Sequence, residues 1–303
     1  MGREIVPPEI VLIANPTSGA RRAPDLATRV TELLKAKGKS VELRITECAG
    51  DAKRLAADAV AHGVQTVTGC GGDGTLQEIA ESIRSTPTAL AIVPSGRCND
   101  FAGAIGLKRS DPVEKFVSVI AENKRRAFDI GTMGERCFLT VATLGFDSEV
   151  SRFVETRKLW LKGSPAYFYA VMRVLISFNA PSVRLKGDFG TYEGRILLAA
   201  TGNTPCYGGA MRITPGAIPD DGMLEVCVIK NVSRLTVLRV LPRVLSGTHV
   251  THPAVSMFKT RTLEIETLNK PQWICADGES LGHTPCKFGV QRAALNVVVP
   301  STA

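Results

Sequence analysis

The sequence predicts a two-domain chain: an α/β domain built on a parallel sheet, then a mainly antiparallel β-sandwich domain with flanking helices. Three observations carry this. Up to Ile130, short apolar runs alternate with stretches of helical period, the pattern of a parallel sheet covered by helices. Beyond it, short β-rich runs separated by clusters of turn residues replace the alternation. The length, 303 residues, suffices for two moderate domains with a core each.

The elements follow in order. Ile10–Ala14 is an apolar run ended by Asn15-Pro16, a buried strand followed by a turn. Pro24 opens a helix whose Leu26, Val30, Leu33 and Leu34 share one face. Val41, Leu43 and Ile45 alternate as a strand, and Leu55, Ala56, Ala59 and Val60 return to helical spacing. Val64–Thr68 reads as the next strand, Ile79 and Ile83 lie on the helix after Thr75, and Ala89–Val93 is a further strand. In the second half, Phe138–Leu144, Arg195–Thr201, Met223–Ile229, Thr262–Thr267 and Trp273–Ala276 read as strands. Helical patterns at Ser164–Phe178 and Ser233–Leu245 interrupt them. The domains are placed at 1–130 and 131–285, with 286–303 expected to return to the first, because termini of two-domain folds often lie close together.

Composition narrows the function. Hydrophobic residues at 44% and charged residues at 22% describe an ordinary globular chain. No apolar run approaches the roughly 18 residues of a membrane span, and Met1–Pro8 lacks the apolar core of a secretory signal. The eight cysteines include no CxxC pair, so buried, reduced thiols in a cytoplasmic protein are expected. A net charge of +8 suits an anionic partner, nucleotide or acidic headgroup. Nucleic acid is not expected, because no segment interleaves Lys or Arg with aromatics.

Gly69, Gly71 and Gly74 spell GxGxxG between a strand and a helix. A dinucleotide site of the Rossmann kind also wants a carboxylate about 20 residues on, and Ala91–Gly96 has none. Gly38-Lys39-Ser40 resembles the end of a P-loop, but the required first glycine is Leu33. Phosphate remains the favoured ligand of Gly71-Gly72-Asp73-Gly74-Thr75. Consecutive glycines let backbone N–H groups approach an anion, and Thr75 with Glu78 predicts a capping box at the helix start. Asp73 is repulsive to phosphate unless Mg²⁺ or a transferable proton intervenes, which points to catalysis. Asn15–Gly19 and Pro94–Ala102 follow two other strands of the same parallel sheet and emerge on the same side.

Taken together, these segments resemble the diacylglycerol kinase catalytic-domain superfamily, which includes bacterial soluble lipid kinases, sphingosine kinases and ceramide kinases. The likeness spans nearly the whole chain: NPTSG at 15–19, GGDGT at 71–75 with Glu78, PSGRCNDFA at 94–102, Phe128–Gly131, Pro219–Gly222 and Asp277-Gly278-Glu279, in the family's order. GGDGT alone is shared with NAD kinases and 6-phosphofructokinases; the full set is more specific.

The resemblance implies a Rossmann-like nucleotide domain and transfer of the ATP γ-phosphoryl group to a lipid alcohol, diacylglycerol-like. It implies a nucleotide site at Asn15, Thr46, Gly71, Gly72, Asp73, Gly74, Thr75, Leu76, Gln77 and Arg97. Asp277 or Glu279 would be the general base, and Asp73, Asp100 and Asp129 would organise Mg²⁺ and its waters. A structural Mg²⁺ would use the Asp221 side chain with the carbonyls of Ile218 and Met223. The family usually has Thr where this chain has Arg97 and Asn where it has Gln77. Arg97 could pair with a phosphate or reshape the pocket.

Read without the family, Asp277–Glu279 and Asp220–Gly222 are ordinary solvated turns, and His249 with His252 is a surface loop. A lipid substrate implies peripheral membrane contact, expected at the inner membrane face. Arg234, Arg239 and Arg243 interleaved with Leu235, Leu238, Leu241 and Leu245 suit an anionic surface or a helix packed on the sheet. A homodimer is left open. The rival readings are a sphingoid-base or ceramide kinase, a soluble-metabolite kinase, and a nucleotide-binding regulator that has lost catalysis.

Overall fold

Ile10–Ala14 is apolar at every position because both its faces are covered. In the computed structural model, which describes residues 7–157, 164–209 and 211–301, it forms β1 (Ile10–Ala14) at the heart of a parallel sheet. The chain continues through α1 (Ala23–Ala36), β2 (Val41–Ile45), α2 (Asp51–Ala61), β3 (Thr66–Gly71), α3 (Asp73–Ile83), β4 (Ala89–Pro94), α4 (Asp100–Ala104) and α5 (Val113–Glu122). β1, β3 and β4 are buried throughout, whereas β2, at the edge, is not. The strands run parallel in the order β2-β1-β3-β4. Winding therefore reverses between β1 and β3, the point where open α/β sheets bind ligands beyond their strand ends.

β5 (Arg125–Met133) carries the chain into the second unit, which begins at Gly131. There follow β6 (Arg136–Phe138), β7 (Val141–Gly145), α6 (Phe146–Thr156), α7 (Ser164–Ser177), β8 (Ser182–Gly187), β9 (Gly190–Gly202), β10 (Leu224–Lys230), α8 (Arg234–Ser246), β11 (Val255–Thr260), β12 (Thr262–Thr267), β13 (Trp273–Ala276), β14 (Glu279–His283) and β15 (Cys286–Val298). One antiparallel sheet has the order β14-β13-β7-β9-β10-β11. β9 is long enough to serve two sheets: Gly190–Arg195 pairs with β8, which continues through β12 to β15.

The inner faces of these sheets meet in one core, with Val183, Leu185, Leu263, Ile265 and Phe288 against Ala142, Leu144, Ala199, Val226 and Ile274. The outer face of the first sheet is covered by α6, α7 and α8 through Phe146, Val150, Ala170, Val174, Val237 and Val244. β10 shows why the run Val226–Ile229 is apolar on both faces. Val226 and Val228 enter the first core while Cys227 and Ile229 enter the second.

Several sequence readings are corrected. β3 starts later and extends through Gly69, Cys70 and Gly71, so the glycine segment is a strand end and a helix start with only Gly72 between. Neither α5 and α6 nor β8, β11 and β14 is foreseen. The segment returning to the first unit begins at Arg292, not at residue 286. One strand serves both units: β15 pairs with β12 at Cys286–Gly289, and in parallel with β4 at Asn296 and Val297. All eight cysteines are free, but Cys48 and Cys98 are exposed, so uniform burial does not hold. His249 is fully buried, its Nε2 3.1 Å from the Ile213 carbonyl oxygen, not a surface residue. The residues Met1–Val6, most of the segment read for a signal, lie outside the described residues.

Candidate active site

In the first unit the site grows from the β1 and β3 ends. The Asn15 N–H donates to the Cys70 carbonyl (3.1 Å), and its side-chain amide donates to Thr75 Oγ1 (3.2 Å). Gly71 must be glycine, since a Cβ there would stand 2.5 Å from the Thr75 Cβ. The N-cap of α3 is Gly72, without a side-chain cap, so the helix start keeps uncapped amides for an anion. The anticipated capping box does not form. Glu78 instead accepts from the N–H groups of Gly50 (3.0 Å) and Ala52 (3.1 Å), capping α2. Longer-range donors win because Glu78 lies on the face of α3 that meets α2.

The loop after β4 is pinned against this helix start. The N–H groups of Ser95 and Gly96 both donate to the Gly71 carbonyl at 3.1 Å. A Cβ on Gly96 would come within 2.4 Å of the Gly72 Cα, so the two backbones touch. Asn99, in left-handed backbone (φ 56°), accepts from the Gly96 N–H (3.0 Å) and donates to the Gly96 carbonyl (2.8 Å). The Arg109 guanidinium donates to the same carbonyl at 3.4 Å. Asp73 closes the arrangement, accepting from the Asn99 N–H (2.8 Å) and the Phe101 N–H (3.3 Å). Burial pushes its carboxyl up, and these N–H bonds oppose the shift. Sequence reasoning missed Asn99 and Arg109 as supports of the loop; the only signal is their nearness to PSGR.

The remaining expected nucleotide residues are placed unequally. Thr46 is buried and its N–H donates to the Ala14 carbonyl (3.0 Å), prolonging the parallel ladder. Leu76 is fully buried over Gly69, and the Gln77 amide donates to Glu81 (3.0 Å), so neither side chain is directed to a ligand. Asp129 is buried and accepts from the Ala293 N–H at 2.7 Å. Among the described residues no group of three or more His, Cys, Asp or Glu could hold a metal ion. Asp73, Asp100 and Asp129 therefore form no all-protein cage. Separate carboxylates fit a Mg²⁺ that arrives on a nucleotide and keeps most of its ligands from phosphate and water.

In the second unit, Asp277 and Gly278 form the two-residue turn of the β13–β14 hairpin, both at positive φ (52° and 87°). The Asp277 carboxylate accepts from the Leu139 N–H (2.7 Å), the Thr140 N–H (3.0 Å) and the Thr140 hydroxyl. Asn203 grips the same segment, donating to the carbonyls of Leu139 (3.1 Å) and Thr140 (2.8 Å). Glu279, two residues on, is exposed. The expected structural metal site does not fit the residues present. Asp221 accepts from Lys259 Nζ (3.1 Å) and from the Met223 N–H (2.9 Å), so an ammonium stands where the cation would.

The outer layer of the second unit encloses a cavity of about 330 Å³ lined by Phe146, Tyr167, Val171, Leu198, Val240 and Leu245 among others. Its wall includes Asp147, which accepts from the Tyr167 and Thr143 hydroxyls, each at 3.1 Å. Burial raises the Asp147 carboxyl, and these hydroxyl bonds oppose the shift. α8 buries Val237, Val240 and Val244 and leaves Leu235 (68%), Leu238 (43%), Leu241 (37%) and Leu245 (57%) exposed. Leu241 and Leu245 also line the cavity.

Uncapped helix amides at an α/β switch point, in one chain with an apolar cavity on a β-sandwich, are the features that a kinase acting on a lipid requires. Residues 9–133 match the diacylglycerol kinase catalytic domain, and residues 140–299 match the YegS C-terminal NAD kinase beta sandwich-like domain. The diacylglycerol kinase of Mycobacterium tuberculosis (strain ATCC 25618 / H37Rv) is 32% identical over 301 residues, covering 96% of this chain and 95% of the relative. That of Bacillus subtilis (strain 168) is 28% identical over 292 residues, covering 95% of each. A crystal structure of a diacylglycerol kinase from Bacillus anthracis str. Sterne superposes with a TM-score of 0.74 at 20% identity, covering 97% of each chain, and so shares the fold. The chain belongs to the diacylglycerol kinase family of lipid kinases.

Proposed function

We propose that the protein transfers the γ-phosphoryl group of ATP to the hydroxyl of a diacylglycerol-like lipid at a membrane surface. The observation that carries the reading is the apolar cavity beside exposed leucines, a container for hydrocarbon in a chain whose first unit has an uncapped helix start suited to an anion. The cavity lining is almost wholly apolar, which suits the acyl chains of a diacylglycerol.

In this reading the backbone at Gly71–Thr75 and the loop at Ser95–Arg97 hold the phosphates. Asp73 fixes that loop and, with Asp100, supplies the carboxylates near the ion. Mg²⁺, when bound, neutralises charge on the phosphate oxygens. Glu279 takes the proton from the lipid hydroxyl, since Asp277 already spends its carboxylate on three donors.

The test is an ATP-dependent phosphorylation assay with dioleoylglycerol, ceramide, sphingosine and undecaprenol in mixed micelles, using the wild-type chain and Asp73→Asn. Phosphorylated diacylglycerol with wild type, and a rate at least about 100-fold lower with D73N, are expected. Full activity in D73N, or no transfer to any lipid, would overturn the proposal. Preference for sphingosine or ceramide would move it to that acceptor.

A further inference from the structure

We infer that Arg97 is a catalytic residue whose guanidinium stabilises the charge on the γ-phosphoryl group while it is in transit, and is not merely an anchor for bound nucleotide. The inference rests on ATP being the phosphoryl donor.

Placement comes first. Gly96 touches the N-cap glycine of α3, and its N–H is tied to Gly71, so Arg97 leaves the backbone one residue from the anion cradle. The loop is held rigidly around it. Asn99 brackets Gly96 on both its N–H and its carbonyl, Arg109 binds that carbonyl, and Asp73 holds Asn99 and Phe101. The rigid loop fixes where the side chain leaves the backbone, which limits the reorganisation needed to bring its charge to the phosphoryl group.

The second observation is that Arg97 is unspent. It is exposed and makes no hydrogen bond or ion pair among the described residues, although carboxylates stand close by. A planar guanidinium can grip two phosphoryl oxygens together, which the threonine usual in the family cannot.

The chemistry is balanced without Arg97 gaining or losing a proton. The lipid oxygen forms a bond to Pγ, the bond from Pγ to the ADP oxygen breaks, and the hydroxyl proton passes to Glu279. In a loose transfer the three equatorial oxygens spread from the departing ADP, and an untethered arginine can follow them. An arginine that bound ground and transition states alike would leave kcat unchanged.

The experiment compares wild type with Arg97→Ala, Arg97→Lys and Arg97→Thr. It measures kcat, KM for ATP, and the Kd of ADP with and without aluminium fluoride in the presence of Mg²⁺ and lipid. For R97A we expect kcat to fall about 100- to 1,000-fold, ADP affinity to change by less than about threefold, and the tightening by aluminium fluoride to disappear. R97T should resemble R97A, and R97K should recover part of the rate. Thermal melts should coincide, since the side chain is exposed. The inference is overturned if ADP and ATP affinities fall as much as kcat/KM, or if R97T matches or exceeds wild type. An active wild type with an equally active R97A removes this inference alone. A wild type unable to use ATP removes the donor assignment and the inference with it.

Discussion

Asp277 and Glu279 are two positions apart on one hairpin, yet their surroundings give them different work. Asp277 holds Leu139 and Thr140, both nearly fully buried, through three hydrogen bonds. Removing it orphans those donors, and Asp277→Ala should destabilise the fold by about 2–4 kcal/mol in denaturant titration. Glu279→Gln should leave the melting temperature within about 1 °C and lower kcat about 100-fold or more. A fully active E279Q would return the base role to Asp277. The motif itself is legible in the sequence, because three adjacent residues form it. The engagement of Asp277 is not, because its partner Leu139 lies 138 residues away. Thr75 and Glu78 teach the same point. Their spacing meets the local rule for a cap, but Asn15 takes one and α2 the other.

α8 illustrates what a period can and cannot tell. Its extent is readable within a residue or so at each end, from apolar spacing and from Ser233, whose hydroxyl accepts from the Thr236 N–H. Its orientation is not readable, because it carries two apolar stripes that hydropathy does not rank. The valines face the sheet, and the leucines face outward with Arg239 nearby in sequence. The β-branched stripe fits the crowded sheet face; in the proposal, the exposed leucine stripe meets acyl chains. The double variant L235D/L238D alters residues that do not line the cavity. It should cut co-sedimentation with phosphatidylglycerol vesicles about tenfold at unchanged ADP affinity. Wild-type binding should weaken between about 0.1 M and 1 M salt as the arginines are screened. No loss on substitution would show that the leucine stripe is not the membrane face. Among the described residues no helix is long and apolar enough to cross a membrane, so this contact is peripheral in the proposal.

At the scale of the whole molecule, the alternation of strand and helix made the first unit readable, because parallel strands covered on both faces are apolar throughout. The second unit was read only in part. β8 and β11 are short and mixed in polarity, and their assignment depends on pairing with strands distant in sequence. The return of the last strand was expected, but its sharing between sheets was not, since nothing in Cys286–Val298 marks the residue where the partner changes.

That shared strand makes the first unit discontinuous in sequence. A gene fragment stopping at Ile130 would omit Leu295, Val297 and Val298, all fully buried, and leave β4 as a naked edge. Such a fragment should aggregate on expression. Fusing residues 292–301 to it through a Gly/Ser linker, or supplying them as a separate peptide, should restore a soluble protein that binds ADP. The last ten residues of that segment thus become a detachable handle, and the enzyme a natural candidate for split reassembly in which the nucleotide pocket reports on whether its missing strand has been found.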